Sequence, residues 1–173
     1  MKERTLNQPK NSKLEEVIEG IAQEIGLAGD KRLVDDVLEP CLIVIIGASG
    51  DLARRKLLPA LFSLYLQGGL PAPFTILGCS RTRLSDEEWR AKAKEGAESS
   101  AGFNRARWDA FSANLFYCVL EYERLESFNR LAGFVKKLDH SRRTGGNRIF
   151  YLAIPPSLYE TTAQNLGKAG LST

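Results

Sequence analysis

The chain has 173 residues, of which 43% are hydrophobic and 26% charged, with a net charge of +3. This size and balance suit one globular domain and exclude a fibrous or wholly disordered chain. The 24 basic and 21 acidic side chains nearly cancel, so the clustered positive surplus of a nucleic-acid domain is missing and no nucleic-acid partner is expected.

Residues 1–12, "MKERTLNQPKNS", are polar and aperiodic, and are predicted to fray. From there Leu14, Val17, Ile18, Ile21 and Ile25 recur at helical spacing, which predicts an amphipathic helix with Gly26 as its stop. Residues 1–39 are therefore read as an extension with an amphipathic helix, and 40–173 as the main domain. The longest apolar run, Cys41 to Ile46, is far shorter than the roughly 20 residues that cross a bilayer, and the polar N-terminus lacks a signal-peptide core. A cytoplasmic protein with no membrane partner is the expectation.

Beyond Pro40 two periods alternate. Strand-like runs occupy 41–47 "CLIVIIG", 74–80 "FTILGCS", 115–122 "LFYCVLEY" and 148–154 "RIFYLAI". Helical patterns separate them: one from Asp51 to Gln67, one opening at Ser85 with Glu88 three residues on as a capping box, one over Leu125 to Leu138, and one starting near Ser157. Strands that alternate with helices and are almost continuously apolar predict an α/β fold, a Rossmann-like doubly wound and mainly parallel sheet. About four strands are expected. Ligands of such sheets bind beyond the carboxyl ends of the strands.

Cys41, Cys79 and Cys118 each fall in a strand-like run, the setting of buried reduced thiols rather than of a disulfide framework or metal site. His140 is the one histidine, so a Cys/His catalytic pair is not expected.

The first strand ends in "GASGDLA", where Gly47, Gly50 and Ala53 follow a G-x-x-G-x-x-A spacing with Ser49 in place of the commoner second glycine. Glycine allows a tight turn close to a diphosphate, small Ala53 allows close helix packing, and the helix start presents N–H groups to the anion. Asp51 suits that helix start by its dipole or as a cap, without a catalytic role. An ordinary structural turn remains the alternative on these residues alone. A G-x-x-x-x-G-K-[ST] phosphate loop is excluded by the spacing. The second strand ends in "GCSRTR", with no acid to accept from a ribose 2′-OH before Asp86. Arginine forks onto phosphate, so Arg81 favours NADP over NAD; solvated loop charges are the plainer alternative.

"IIGASGDLARRKLLPALFSLYLQGGLP", "ILGCSRTRLSDEEWR" and "NRIFYLAIPPSLYE" together resemble the successive N-terminal signatures of the glucose-6-phosphate dehydrogenase family, over about residues 40–165. The resemblance accounts for Pro59 inside a helix pattern, where proline removes a donor. It implies NADP as cofactor, with Gly47, Ala48, Ser49, Gly50, Asp51, Leu52, Ala53 and Arg54 lining its diphosphate and ribose. It also implies Arg81 on the 2′-phosphate, Tyr151 further along the cofactor, and Pro155 and Pro156 near the nicotinamide. In the complete enzyme it implies oxidation of glucose 6-phosphate to the lactone, the first step of the pentose phosphate pathway, and a homo-oligomer. There a histidine base takes the C1 hydroxyl proton while hydride passes to the nicotinamide.

The family's E-K-P-F-G segment is expected just after Thr173, and its catalytic histidine and aspartate later still. His140 precedes "FYLAIPP" rather than following it, so no catalytic residue is assigned. This chain is expected to bind NADP without turnover; a non-catalytic nucleotide-binding or subunit-association remnant is the alternative. A short-chain dehydrogenase is disfavoured, because no Tyr-x-x-x-Lys pair follows Tyr65, Tyr117, Tyr122, Tyr151 or Tyr159. The resemblance also implies an incomplete sheet whose fourth strand lacks its usual neighbour, and this predicts marginal stability or self-association.

Overall fold

The computed structural model describes residues 38–100 and 102–172. The helix expected over Leu14 to Ile25 lies outside the described residues. From Pro40 the apolar runs become four strands, β1 (Cys41–Ile46), β2 (Phe74–Ser80), β3 (Leu115–Val119) and β4 (Arg148–Leu152). They form one sheet in the order β3-β2-β1-β4, and every pairing is parallel. The α/β doubly wound fold read from the alternation is the fold observed.

Two strands, β3 and β4, stop at least two residues before the end of their strand-like runs. The last rung beyond β3 is Leu120 N–H donating to the Ser80 carbonyl at 2.8 Å; past it, β2 has turned away and offers no partner. At β4 the last rung is Ala153 N–H to the Ile46 carbonyl at 2.7 Å, and the next two positions but one, Pro155 and Pro156, have no N–H to give.

Between β1 and β2 the helical stretch holds a π-turn (Ala53–Leu57) that passes directly into α1 (Leu58–Leu66). Leu58 N–H bonds the Ala53 carbonyl. The same five-residue step would join Pro59 to Arg54, but proline has no hydrogen, so the Arg54 carbonyl loses its helical donor. That carbonyl lies against Gly96, where a Cβ would collide with it. The proline is thus accommodated by a widened turn and by a close approach from the next helix.

That next helix, α2 (Asp86–Ala97), opens with the expected capping box: Glu88 N–H donates to Ser85 Oγ at 3.2 Å and Ser85 N–H to Glu88 Oε2 at 2.7 Å. It is followed by α3 (Arg105–Ser112), which the periodicity did not predict. Its start is fixed by the Asn104 side chain, which accepts from Ala106 and Arg107 N–H. Its apolar side joins a ring cluster in which Phe62 packs edge-on against Trp108 and Phe111, with centroids 5.4 and 5.2 Å away. On the other side of the sheet lie α4 (Leu125–Arg142) and, after a single 3₁₀ turn (Pro156–Leu158), α5 (Tyr159–Lys168).

Strand alternation splits the core accordingly. Leu42, Val44, Ile46, Leu77 and Cys79 pack with Phe128, Leu131, Val135 and Leu138 of α4 and Leu166 of α5. Ile43, Ile45 and Ile76 alternate with these and are equally buried. All residues of β1 and β2 are buried, whereas all five of β4 are only partly so. β4 is fastened at its start instead: Arg148 donates to Asp139 Oδ2 from Nε at 2.8 Å and from Nη2 at 2.6 Å, and the Thr144 hydroxyl donates to the same carboxylate. The three cysteines are free thiols, with Cys41 and Cys79 buried.

Candidate functional site

The parallel ladder brings the carboxyl ends of all four strands to one edge, and the strand order reverses between β1 and β4. Gly47 leaves β1 at φ +99° and donates its N–H to the Cys79 carbonyl at 2.8 Å, as Ala48 does at 3.1 Å. A Cβ on Gly47 would run into the Ala153 carbonyl where β4 ends. Glycine is therefore required twice over, by the left-handed backbone and by the neighbouring strand. Gly50 N–H closes the turn onto the Gly47 carbonyl at 2.9 Å.

The remaining fingerprint residues divide between support and surface. Ala48 and Ala53 are buried, and the Ala48 carbonyl accepts from the Trp89 indole Nε1 at 3.0 Å. Ser49, Gly50, Asp51, Leu52 and Arg54 are exposed. Asp51 makes no capping bond; its carboxylate pairs with Arg54 at 3.4 Å and Arg55 at 3.5 Å. Such exposed pairs add little stability, and they leave the negative group beside the positive helix end. A diphosphate fits these residues: the turn is free of side chains at Gly47 and Gly50, the helix behind it starts at Asp51, and Ser49 is exposed beside it.

Beyond β2, Arg81 is exposed and lies over the Tyr122 ring, its guanidinium carbon 5.4 Å from the centroid. Burial raises the Tyr122 phenol above its ordinary value, and the nearby Arg81 charge opposes that rise. The backbone around Arg81 is held by side chains that the motif reading did not single out. Thr82 N–H donates to Ser80 Oγ at 3.2 Å, and the Tyr117 hydroxyl donates to the Thr82 carbonyl at 2.8 Å. The Ser80 hydroxyl donates to Ser49 Oγ at 2.8 Å, and Ser49 Oγ is 3.0 Å from Thr82 Oγ1. The turn after β1 and the loop after β2 are thus one connected unit. Nothing in the spacing marked Ser80 or Tyr117, because their roles arise from strand register.

Tyr151 is half-buried in β4, level with Ile45 of β1 and so two residues short of Gly47. The atom of β4's end that lies against Gly47 is the Ala153 carbonyl oxygen. His140 is exposed in the last turn of α4, before β4 begins and so away from the carboxyl edge. Next to the Arg81 loop a cleft of about 630 Å³ is lined by Arg83, Leu84, Glu88, Val119, Glu121 and Arg130. Its two arginines are matched by two glutamates.

A glycine turn at the strand-order switch of a doubly wound sheet puts the chain among dinucleotide-binding domains. The family model described as the NAD binding domain of glucose-6-phosphate dehydrogenase matches residues 44–173. Among curated relatives, the glucose-6-phosphate 1-dehydrogenase of Treponema pallidum (strain Nichols) is 45% identical over 130 residues, covering 73% of this chain and 25% of that protein. The enzyme of the same name from Aggregatibacter actinomycetemcomitans is 37% identical over 134 residues, covering 78% and 27%. A solved glucose-6-phosphate dehydrogenase in complex with its substrate glucose-6-phosphate superposes with a TM-score of 0.70 at 32% identity, over 76% of this chain and 28% of that one. The crystal structure of the Mycobacterium avium glucose-6-phosphate 1-dehydrogenase gives a TM-score of 0.64 at 27% identity, over 76% and 27%. The chain belongs to the glucose-6-phosphate dehydrogenase family, and the part it matches is the dinucleotide-binding domain. It spans about a quarter of the length of these curated relatives. Among the described residues no helix is long and apolar enough to cross a membrane.

Proposed function

We propose that this chain binds NADP and forms the cofactor-binding part of a cytoplasmic, homo-oligomeric glucose-6-phosphate dehydrogenase. One observation carries the reading: the Gly47 turn is joined through Ser49 and Ser80 to the loop that bears Arg81. Diphosphate and 2′-phosphate thereby meet a single prearranged surface. The Gly47–Gly50 turn and the start of the following helix take the diphosphate, with Ser49 as an added donor. Asp51, Leu52 and Arg54 line the ribose side, and Ala48 and Ala53 let the helix approach.

Arg81 takes the 2′-phosphate as a charge-assisted, two-pronged partner. It suits NADP rather than NAD because no carboxylate stands in that loop to receive a ribose hydroxyl. Tyr151 contacts the cofactor further along β4. When bound, NADP supplies the hydride acceptor; this chain's own residues bind, orient and neutralise charge. No described residue is assigned as the base, so the chain alone binds without turnover, and glucose 6-phosphate is the substrate of the complete enzyme. In sequence, residues 1–39 are the N-terminal extension and residues 40–173 the NADP-binding domain.

Amide NMR of the purified chain tests the binding. On adding NADP, the signals of Gly47 to Arg54 and of Arg81 move together, and added glucose 6-phosphate produces no NADPH absorbance. Unmoved signals contradict the binding, and substrate-dependent NADPH formation contradicts the absence of turnover.

A further inference from the structure

We propose that Tyr117, through its hydroxyl, is a positioning residue that sets the preference for a 2′-phosphorylated dinucleotide; this rests on the NADP reading above. Tyr117 stands on β3 opposite Gly78 of β2, and its side chain is buried. Gly78 has no room for a Cβ because the Trp89 ring occupies that space. Trp89 in turn packs on the Tyr117 ring, with centroids 5.5 Å apart, and reaches the Ala48 carbonyl of the diphosphate turn. The two aromatics thus support different loops from beneath. Trp89 holds the turn after β1. Tyr117 holds the loop after β2, its hydroxyl donating to the Thr82 carbonyl at 2.8 Å and lying 2.5 Å from Ser80 Oγ.

The ring alone would serve the core. A hydroxyl buried here is costly to bring out of water and is retained only with partners, and its partners flank Arg81 on both sides. With Ser80 and Thr82 fixed, the Arg81 backbone is already ordered, and its guanidinium rests over Tyr122. A 2′-phosphate then meets an arginine that needs little further ordering, and preorganisation of this kind appears directly as affinity. NAD has no group to exploit it. The Tyr117 hydroxyl acts on one part of the ligand, whereas the glycine turn serves both dinucleotides.

The test compares dissociation constants for NADP and NAD, measured by NMR titration of the full 173-residue chain and of Tyr117→Phe. The variant keeps the ring against Trp89. NADP binding is expected to weaken about tenfold, the scale of one net hydrogen bond, and NAD binding by less than about threefold, so the NADP-to-NAD preference falls. A merely structural tyrosine would lower the melting temperature and weaken both ligands alike, and that result overturns the inference. Ser80→Ala, which removes the acceptor of Thr82 N–H, provides a second arm if Tyr117→Phe does not fold: the preference falls in the same direction by about threefold, and an unchanged preference again overturns the inference. Wild-type chain that binds neither dinucleotide overturns the NADP reading itself, whereas normal wild-type binding with an unchanged Tyr117→Phe preference overturns only the role of Tyr117.

Discussion

The two sides of the sheet are built to different standards. On the β2 side every residue of β2 itself is buried, the loops at the carboxyl edge are cross-linked by hydroxyls, and two aromatics brace them from below. On the β4 side all five strand residues are partly exposed, and the strand is paired with β1 alone among the described residues. On the proposed reading, the adenosine-phosphate end of the dinucleotide meets the first, better-braced side, and affinity for the dinucleotide comes from that side.

The strongest way to break this contrast is at the junction of the two sides. Gly47→Ala puts a Cβ into the Ala153 carbonyl on a backbone at φ +99°, which combines steric crowding with a disfavoured conformation. The expected loss is about 3 kcal/mol or more, read as a fall in the urea midpoint. A loss below about 1 kcal/mol, the scale of an ordinary substitution, would mean that β4 does not press on the turn.

Alkaline titration probes the buried side. Burial pushes the Cys41 thiol from 9.0 up to about 11 and also raises Cys79, Tyr117 and Tyr122 above their ordinary values. In the unfolded chain these groups ionise first, so the stability they lend is fully present below their unfolded values and is lost as pH climbs through the folded ones. Cys41 alone contributes about 2–3 kcal/mol across the window from its unfolded value to its folded one. Urea unfolding at pH 8 and pH 11 should show stability falling; a flat or rising profile contradicts the burial account.

The exposed side gives the smallest expected effect, a weak one. A parallel strand paired on one side alone among the described residues favours contact with another chain, so sedimentation should show concentration-dependent self-association and melting should be early. A strict monomer with a sharp transition well above about 50 °C would show that β4 needs no cover.

The fold was legible because its signals are local and repeated: continuous apolar runs for buried parallel strands, helical spacing between them, and a capping box at Ser85. The glycine turn was legible for the same reason, since Gly47, Gly50 and Ala53 are consecutive parts of one motif. What stayed hidden depends on pieces brought together from a distance. The α3 helix has eight residues, too few for a clear period, and is secured by rings from α1 and β2. No motif marks Ser80 or Tyr117 for the site; only the pairing of Gly78 with Tyr117 brings the phenol under the Arg81 loop. Tyr151 was drawn from family likeness, and its position in β4 is set by ladder register rather than by anything in its neighbours.

Calorimetric titration of the wild-type chain and of Arg81→Ala with NADP tests the central claim most directly. The account predicts saturable binding to the wild type and a loss of about ten- to a hundredfold in the variant, the scale of a charge-assisted contact, with the melting temperature nearly unchanged because Arg81 is exposed. Equal affinity in the two proteins, or no saturable binding to the wild type, would contradict it.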